Sequence, residues 1–147
     1  MDNCIVIDML RELNKKEEET VKNFFFLQSA LNCAPVGIFI LDLKGQILYK
    51  NEESIRLGFE VPKDLTFDKW VDYYQFKHLD GELLKQNEIP GFVTLTTQKK
   101  SHATIYLDKD NVEVVFEVKS APLLINGEFK GAVVVTSKKS RTEEHKQ

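Results

Sequence analysis

Apolar positions along the first 35 residues recur at helical spacing. Val6, Leu10 and Leu13 step by four residues and then three, and Glu17, Thr20, Phe24, Leu27 and Leu31 continue the step. That is the period of an α-helix with a single seam. Glu17 and Thr20 make the middle of the seam polar, and the KKEEE run at 15–19 places Lys/Glu pairs along an exposed face. No Gly or Pro intervenes before Pro35, where a helix should end because proline lacks an amide proton and restricts the residue before it. The stretch reads equally well as a solvated helix capping its own domain and as a short coiled coil between two chains.

The period then shortens. Residues 37–42 and 46–50 read as two strands joined by a turn at Asp42-Leu43-Lys44-Gly45. Asn51 heads a helix of about two turns, with Glu52 and Glu53 in its first turn and Gly58 as its terminator. Beyond Pro62 and Asp64, Phe67, Trp70, Val71 and Tyr74 return to helical spacing, and a loop-rich passage leads to Pro90. Residues 91–100 are read as a helix from their flanks, although Val93 and three threonines favour a strand.

Strands follow at 101–109, at 111–125 and from Glu128 onward, separated by an Asp108-Lys109-Asp110-Asn111 turn and by Asn126-Gly127, a strong hairpin signal. In the middle strand Val112, Val114, Phe116 and Val118 take one face; Glu113, Val115, Glu117 and Lys119 take the other. The order of elements predicts an α+β layer architecture, an antiparallel sheet with short helices gathered over one face. The helices then enclose a concave apolar interior, the natural place for a small ligand.

Charge and composition narrow the class. Net charge is −3, which gives no footprint for nucleic acid. Two cysteines, Cys4 and Cys33, make no disulfide framework. The longest apolar run, Cys33 to Leu41, has nine residues against roughly 20 for a membrane span. The first ten residues carry Asp2 and Asp8 and no basic segment of a secretory signal. A cytoplasmic protein without membrane or nucleic-acid contact is expected.

The stretch FLQSALNCAPVGIFILDLKGQILYKNEES resembles the start of a PAS (Per-Arnt-Sim) domain, through Ala34-Pro35-Val36-Gly37-Ile38, Asp42 and Gly45, and Asn51. Asp80-Gly81 and Glu88-Ile89-Pro90 are similar to the family's central passage, and Pro122, Gly127 and Gly131 to its final hairpin. The match covers about residues 27–137. It implies a five-stranded antiparallel sheet in the order 2-1-5-4-3, with an N-terminal helix over 1–31, the PAS domain over 32–137 and a polar tail over 138–147. It further implies a non-enzymatic sensory and dimerisation module of a sensor kinase, cyclase or transcriptional activator. The expected partners are a second copy held through the N-terminal helix, a small-molecule ligand and a downstream signalling domain or protein. A departure lies at Lys138-Lys139-Ser140, where many members carry an Asp-Ile-Thr signal to an output helix. The alternative is an interaction domain that pairs proteins without a ligand.

The crowded aromatics Phe59, Phe67, Trp70, Tyr73, Tyr74 and Phe76 either fill the interior or roof a pocket. In the second case Trp70 and Tyr74, with Tyr49 and Phe116 from the sheet, are its expected lining. No cofactor is implied, and the residues speak against two. The candidate haem ligand, His78, sits in a loop beside Asp80-Gly81. The flavin photosensors of the family carry a reactive Cys after strand two, whereas Asn32-Cys33 precedes strand one. Cys33 is expected as a small buried hydrophobe. Metal-ligand spacings are missing, as are a P-loop, a G-x-S-x-G motif and a dinucleotide fingerprint. Glu113 and Glu117 share a strand face with Lys119, which reads as a charge-balanced surface rather than an acid/base pair. A small enzyme working in the concave interior would need a carboxylate or histidine there, and none is placed.

Overall fold

The computed structural model describes residues 3–58, 69 and 73–139. The chain divides after Ala34 into two units. The first is helix α1, Asn3–Cys33, about 46 Å long at 1.5 Å per residue. Its apolar side chains stand in solvent: Phe24, Phe25, Phe26 and Leu27 are 59–62% exposed. Thr20, in the polar middle of the seam, returns its hydroxyl to the Lys16 carbonyl at 2.9 Å and so is satisfied within the helix. The Lys22 ammonium lies 5.6 Å from the centre of the Phe26 ring, a cation–π contact of modest strength at an exposed site. Cys33 is exposed rather than buried. It is the last residue of a solvated helix, so the apolar run that follows does not enclose it. Among the described residues no helix is long and apolar enough to cross a membrane.

The second unit runs β1 (Gly37–Asp42), β2 (Ile47–Lys50), α2 (Glu52–Arg56), a 3-10 turn (Gln86–Glu88), α3 (Pro90–Thr97), β3 (Ser101–Lys109), β4 (Val112–Ile125) and β5 (Glu128–Lys138). The five strands form one antiparallel sheet in the order β2-β1-β5-β4-β3, as the resemblance implied. Residues expected in a helix around Phe67, Trp70 and Val71 lie outside the described residues, as does the tail from Ser140.

Local chemistry sets the turns. Asp42 Oδ1 accepts the Lys44 and Gln46 amides, each at 2.9 Å, so the side chain supplies the bonds that the bend takes from the ladder. The β3–β4 corner places Asp110 and Asn111 at φ 52° and 64°, and the β4–β5 corner places Asn126 and Gly127 at 52° and 81°. Two successive left-handed residues match the sheet's twist, and Asn, Asp and Gly are the types that tolerate them. Helix α3 stops at Thr97 because Gln98 turns left-handed (φ 60°), three residues before the expected end.

Asn51 does more than cap α2. Its Oδ1 accepts the Ser54 amide at 3.1 Å and the Ile38 amide at 2.8 Å, and its Nδ2 donates to the Val36 carbonyl at 2.9 Å. One fully buried amide thereby ties the start of α2 to the start of β1. Helix and strand are close enough that a Cβ on Gly37 would lie 3.1 Å from the Ser54 Cα. One face of the sheet, called inner here, carries Phe39 and Leu41 from β1, Val134 from β5, Phe116 and Val118 from β4, and Ile105 and Leu107 from β3. These pack with Phe76, Leu84 and Ile89 into the hydrophobic core.

Removing the Asn51 amide leaves buried amide and carbonyl groups without partners, each costing about 1–3 kcal/mol. Asn51→Ala is therefore expected to destabilise the fold by roughly 2–4 kcal/mol in urea denaturation. A loss within about 0.5 kcal/mol, the range of an ordinary surface change, contradicts the anchoring role.

Candidate functional site

Of the four expected lining residues, two lie on the inner side. Phe116 stands mid-β4, 2% exposed. Tyr74 is half-buried against the same core. It stacks on Phe76 with ring centres 5.4 Å apart and planes 14° apart, and Tyr73 meets it edge-on at 4.9 Å. Trp70, with Phe59 and Phe67, lies outside the described residues.

Tyr49 is placed differently, and the expectation that it lines the interior with Phe116 is corrected. It pairs with Ile40, Ile40 with Val133, and Val133 with Ala121. Side chains of directly paired residues share a face and alternate residues along a strand oppose. Ala121 and Phe116 are five residues apart on β4 with no register shift between them, so Tyr49 lies on the outer face. Ile47, opposite Leu41, takes the inner position, and it packs against the core. A shift between Ile40 and Leu41 makes the exchange. Burial and the neighbouring Glu52 carboxylate raise the Tyr49 pKa, which keeps the phenol neutral.

Hydroxyls that pattern reading passed over complete the inner wall. Ser120 on β4 donates to Thr94 Oγ1 on α3 at 2.7 Å, and Thr94 Oγ1 donates to the Lys99 carbonyl at 2.8 Å. Both residues are buried. This relay fastens the roofing helix to the sheet inside an otherwise apolar interior, where a satisfied hydrogen bond is strong and a broken one costly. Thr136 on β5, also buried, shares the inner face with Val118, its register partner. A signal existed in the sequence: Ser120 is the polar member of the stripe Val114, Phe116, Val118.

The charged groups sit at the margins. His78 Nε2 lies 2.7 Å from Glu88 Oε2, while Glu88 Oε1 accepts the Lys85 amide at 3.0 Å and closes the 3-10 turn that leads into α3. The Lys85 amide, and after it His78, lower the Glu88 pKa. Glu117, on the outer face, is bonded to Thr104 at 3.1 Å and to Lys139 at 3.2 Å. Lys139 first and Thr104 second lower its pKa. Both carboxylates are thus held as anions, the opposite of what a general acid requires. Among the described residues no cluster of three or more His, Cys, Asp or Glu is arranged to hold a metal ion.

No family model matches the sequence, and no curated protein matches it. Solved structures do. The PAS domain of an HTR-like protein from Haloarcula marismortui matches with TM-score 0.50 at 13% identity, over 86% of this chain and 99% of that one. The PAS domain of nitrogen regulation protein NR(II) from Vibrio parahaemolyticus matches with TM-score 0.50 at 16% identity, over 76% and 96%. The PAS domain of Bordetella pertussis BvgS matches with TM-score 0.53 at 12% identity, over 87% and 92%. Likeness at these identities is likeness of fold, and the fold is that of PAS domains.

Carboxylates with folded pKa values below the ordinary 4.5 stabilise the fold above that value, and the contribution is lost as pH falls through the lowered values. A Glu88→Gln, Glu117→Gln variant is expected to lose less stability than the parent between about pH 5 and pH 3, read from urea midpoints. Parallel declines contradict the assignment.

Proposed function

We propose that the chain is a non-enzymatic sensory and dimerisation module, the input domain of a cytoplasmic signal-transduction protein such as a sensor kinase, cyclase or transcriptional activator. The observation that carries the reading is the pairing of two features. A sheet in PAS order, like that of NR(II) and BvgS, is preceded by a 31-residue helix whose apolar side chains are exposed. Such side chains cost free energy in water, at about 25 cal/mol per Å² of apolar surface. A second copy that covers them recovers it.

In this reading the signal enters on the inner face. A small ligand with an apolar body meets Phe116 and Tyr74, and a polar atom on it competes for the Ser120–Thr94 hydroxyl pair. Its arrival changes how α3 packs on the sheet, to the extent that it binds one packing better than the other. Helix α1 passes the change to a neighbouring protomer and onward to an output domain or protein.

A second reading, a ligand-free domain that only pairs proteins, is favoured by the filling of the inner face. Phe39, Leu41, Phe76, Phe116 and Val134 are each at most 5% exposed, which is the close packing of an ordinary core.

Phe24→Glu with Leu27→Glu is expected to convert a dimer to a monomer by light scattering, and an unchanged dimer contradicts the role of α1. Denaturing extraction of the native protein followed by mass spectrometry separates the two readings. A stoichiometric small molecule supports the sensor, and its absence supports the pairing domain.

A further inference from the structure

The outer face of the sheet has a step in it over β4, where two neighbouring rows of side chains cross. One row runs His102, Lys119 and Val135 over β3, β4 and β5. In the other, Ala121 on β4 stands beside Val133 on β5, and Lys100 lies at the rim, just before β3 begins. Ala121 carries a single methyl group where its neighbours carry branched or long side chains. The hollow over this group of residues has a volume of about 310 Å³, at the small end of the range for ligand pockets.

Its two sides differ in chemistry. Ala121, Val133 and Val135 are half-buried and apolar, whereas Lys100, His102 and Lys119 are exposed. Among the described residues none of these three basic side chains forms an ion pair. Glu117, two residues from Lys119 on the same face, is held by Thr104 and Lys139. In a chain of net charge −3, a local basic edge therefore borders an apolar wall.

The two lysines are set in place from the inner side of the sheet. Thr94 Oγ1 accepts from Ser120 at 2.7 Å and donates to the Lys99 carbonyl at 2.8 Å. The main chain next to Lys119 is thereby tied to the main chain next to Lys100. Ladder pairing of Ser101 with Ser120 and of His102 with Lys119 continues the tie. Only side chains have to be ordered when a ligand arrives, which lowers the cost of binding. We propose that this hollow binds a small organic anion with a flat apolar body, in the simplest case an aryl carboxylate. Its ring lies on Ala121 against Val133 and Val135, and its carboxylate meets the Lys100 and Lys119 ammonium groups and the His102 ring N–H.

Both halves of such a ligand are needed. An inorganic anion leaves the apolar wall in water, and exposed charge pairs alone contribute little. A neutral ring covers the wall but leaves the basic edge without a counter-charge. The flat body follows from the seat: paired strands lie about 4.8 Å apart, so a ring over Ala121 reaches Val133 without rising off the sheet. Because the head group is held at an exposed edge, binding weakens with added salt. This site lies on the opposite side of β4 from the ligand of the sensory reading, and each stands or falls without the other.

Methyl-resolved NMR of the full-length protein, labelled at alanine and valine and titrated with naphthoate at neutral pH, tests the site. Ala121, Val133 and Val135 are expected to shift to saturation while the inner-face Val118 and Val134 hold still. Acetate supplies the charge without the ring, and naphthamide the ring without the charge. Each is expected to bind at least about tenfold more weakly than naphthoate. Lys100→Gln with Lys119→Gln is expected to weaken naphthoate by the same factor, with an unchanged circular dichroism spectrum. No saturation at the outer methyls up to about 5 mM naphthoate overturns the proposal. Shifts led by Val118 and Val134 also overturn it, since they put the probe in the interior and support the inner-face ligand instead. Equal affinity for acetate or naphthamide, or in the variant and the parent, overturns it too, because ring and lysines then do not act together.

Discussion

The antiparallel pairing of β1 with β5 is the contact on which the rest of this structure depends. It joins the first strand of the sheet to the last, from Gly37 beside Thr136 to Asp42 beside Gly131. Closing a loop of nearly the whole unit costs entropy, though the cost grows only slowly with length. The strands approach so closely that a Cβ on Gly131 would lie 1.9 Å from the Leu41 carbonyl oxygen, a position that only glycine fits. With that pairing made, β2 extends one edge and β4 and β3 the other, and five strands become one surface with two continuous faces. Asn51 then reaches from the end of β2 to the amide of Ile38 and the carbonyl of Val36, so the same junction also locates α2.

The two faces divide the labour. The inner face is shut by Phe76, Leu84, Ile89 and α3, and a buried side-chain hydroxyl link, Ser120 to Thr94, couples roof to sheet. Any perturbation of the roof is felt at β4 directly. The outer face keeps the half-buried Val133 and Val135 beside the exposed Lys119, and α1 keeps exposed phenylalanines and glutamates. Residues on adjacent strands line up across the sheet, so β4 carries the inner Ser120 next to the outer Lys119 and Ala121. A change in how α3 grips Ser120 therefore reaches the outer face within one residue.

Much of this was legible in the sequence, and for identifiable reasons. Asp42, Asn51, the Asp110-Asn111 pair and Asn126-Gly127 mark boundaries because their short side chains or left-handed backbones do a job few other residues do. Alternation in β4 was clear because charges interrupt it at Glu113, Glu117 and Lys119. Tyr49 was misread because Ile47, Leu48 and Tyr49 are consecutive apolar residues, which carry no alternation, and the shift beside Leu41 then decides the face. Cys33 was misread because an apolar run is continuous in sequence across the point where helix gives way to strand. Ser120 stood out as the polar member of an apolar stripe, but its link to Thr94 was not legible, because helix and strand residues 26 apart meet only in the folded chain.

Native-state hydrogen exchange on the full-length protein tests the β1–β5 junction most directly. The account predicts that the slowest amides of Phe39, Ile40 and Leu41 open with the same free energy as those of β4 and β5, that is, only on global unfolding. Exchange of β1 and β2 at a markedly lower free energy, while β3 to β5 stay protected, would show that the sheet is two separable parts and contradict it.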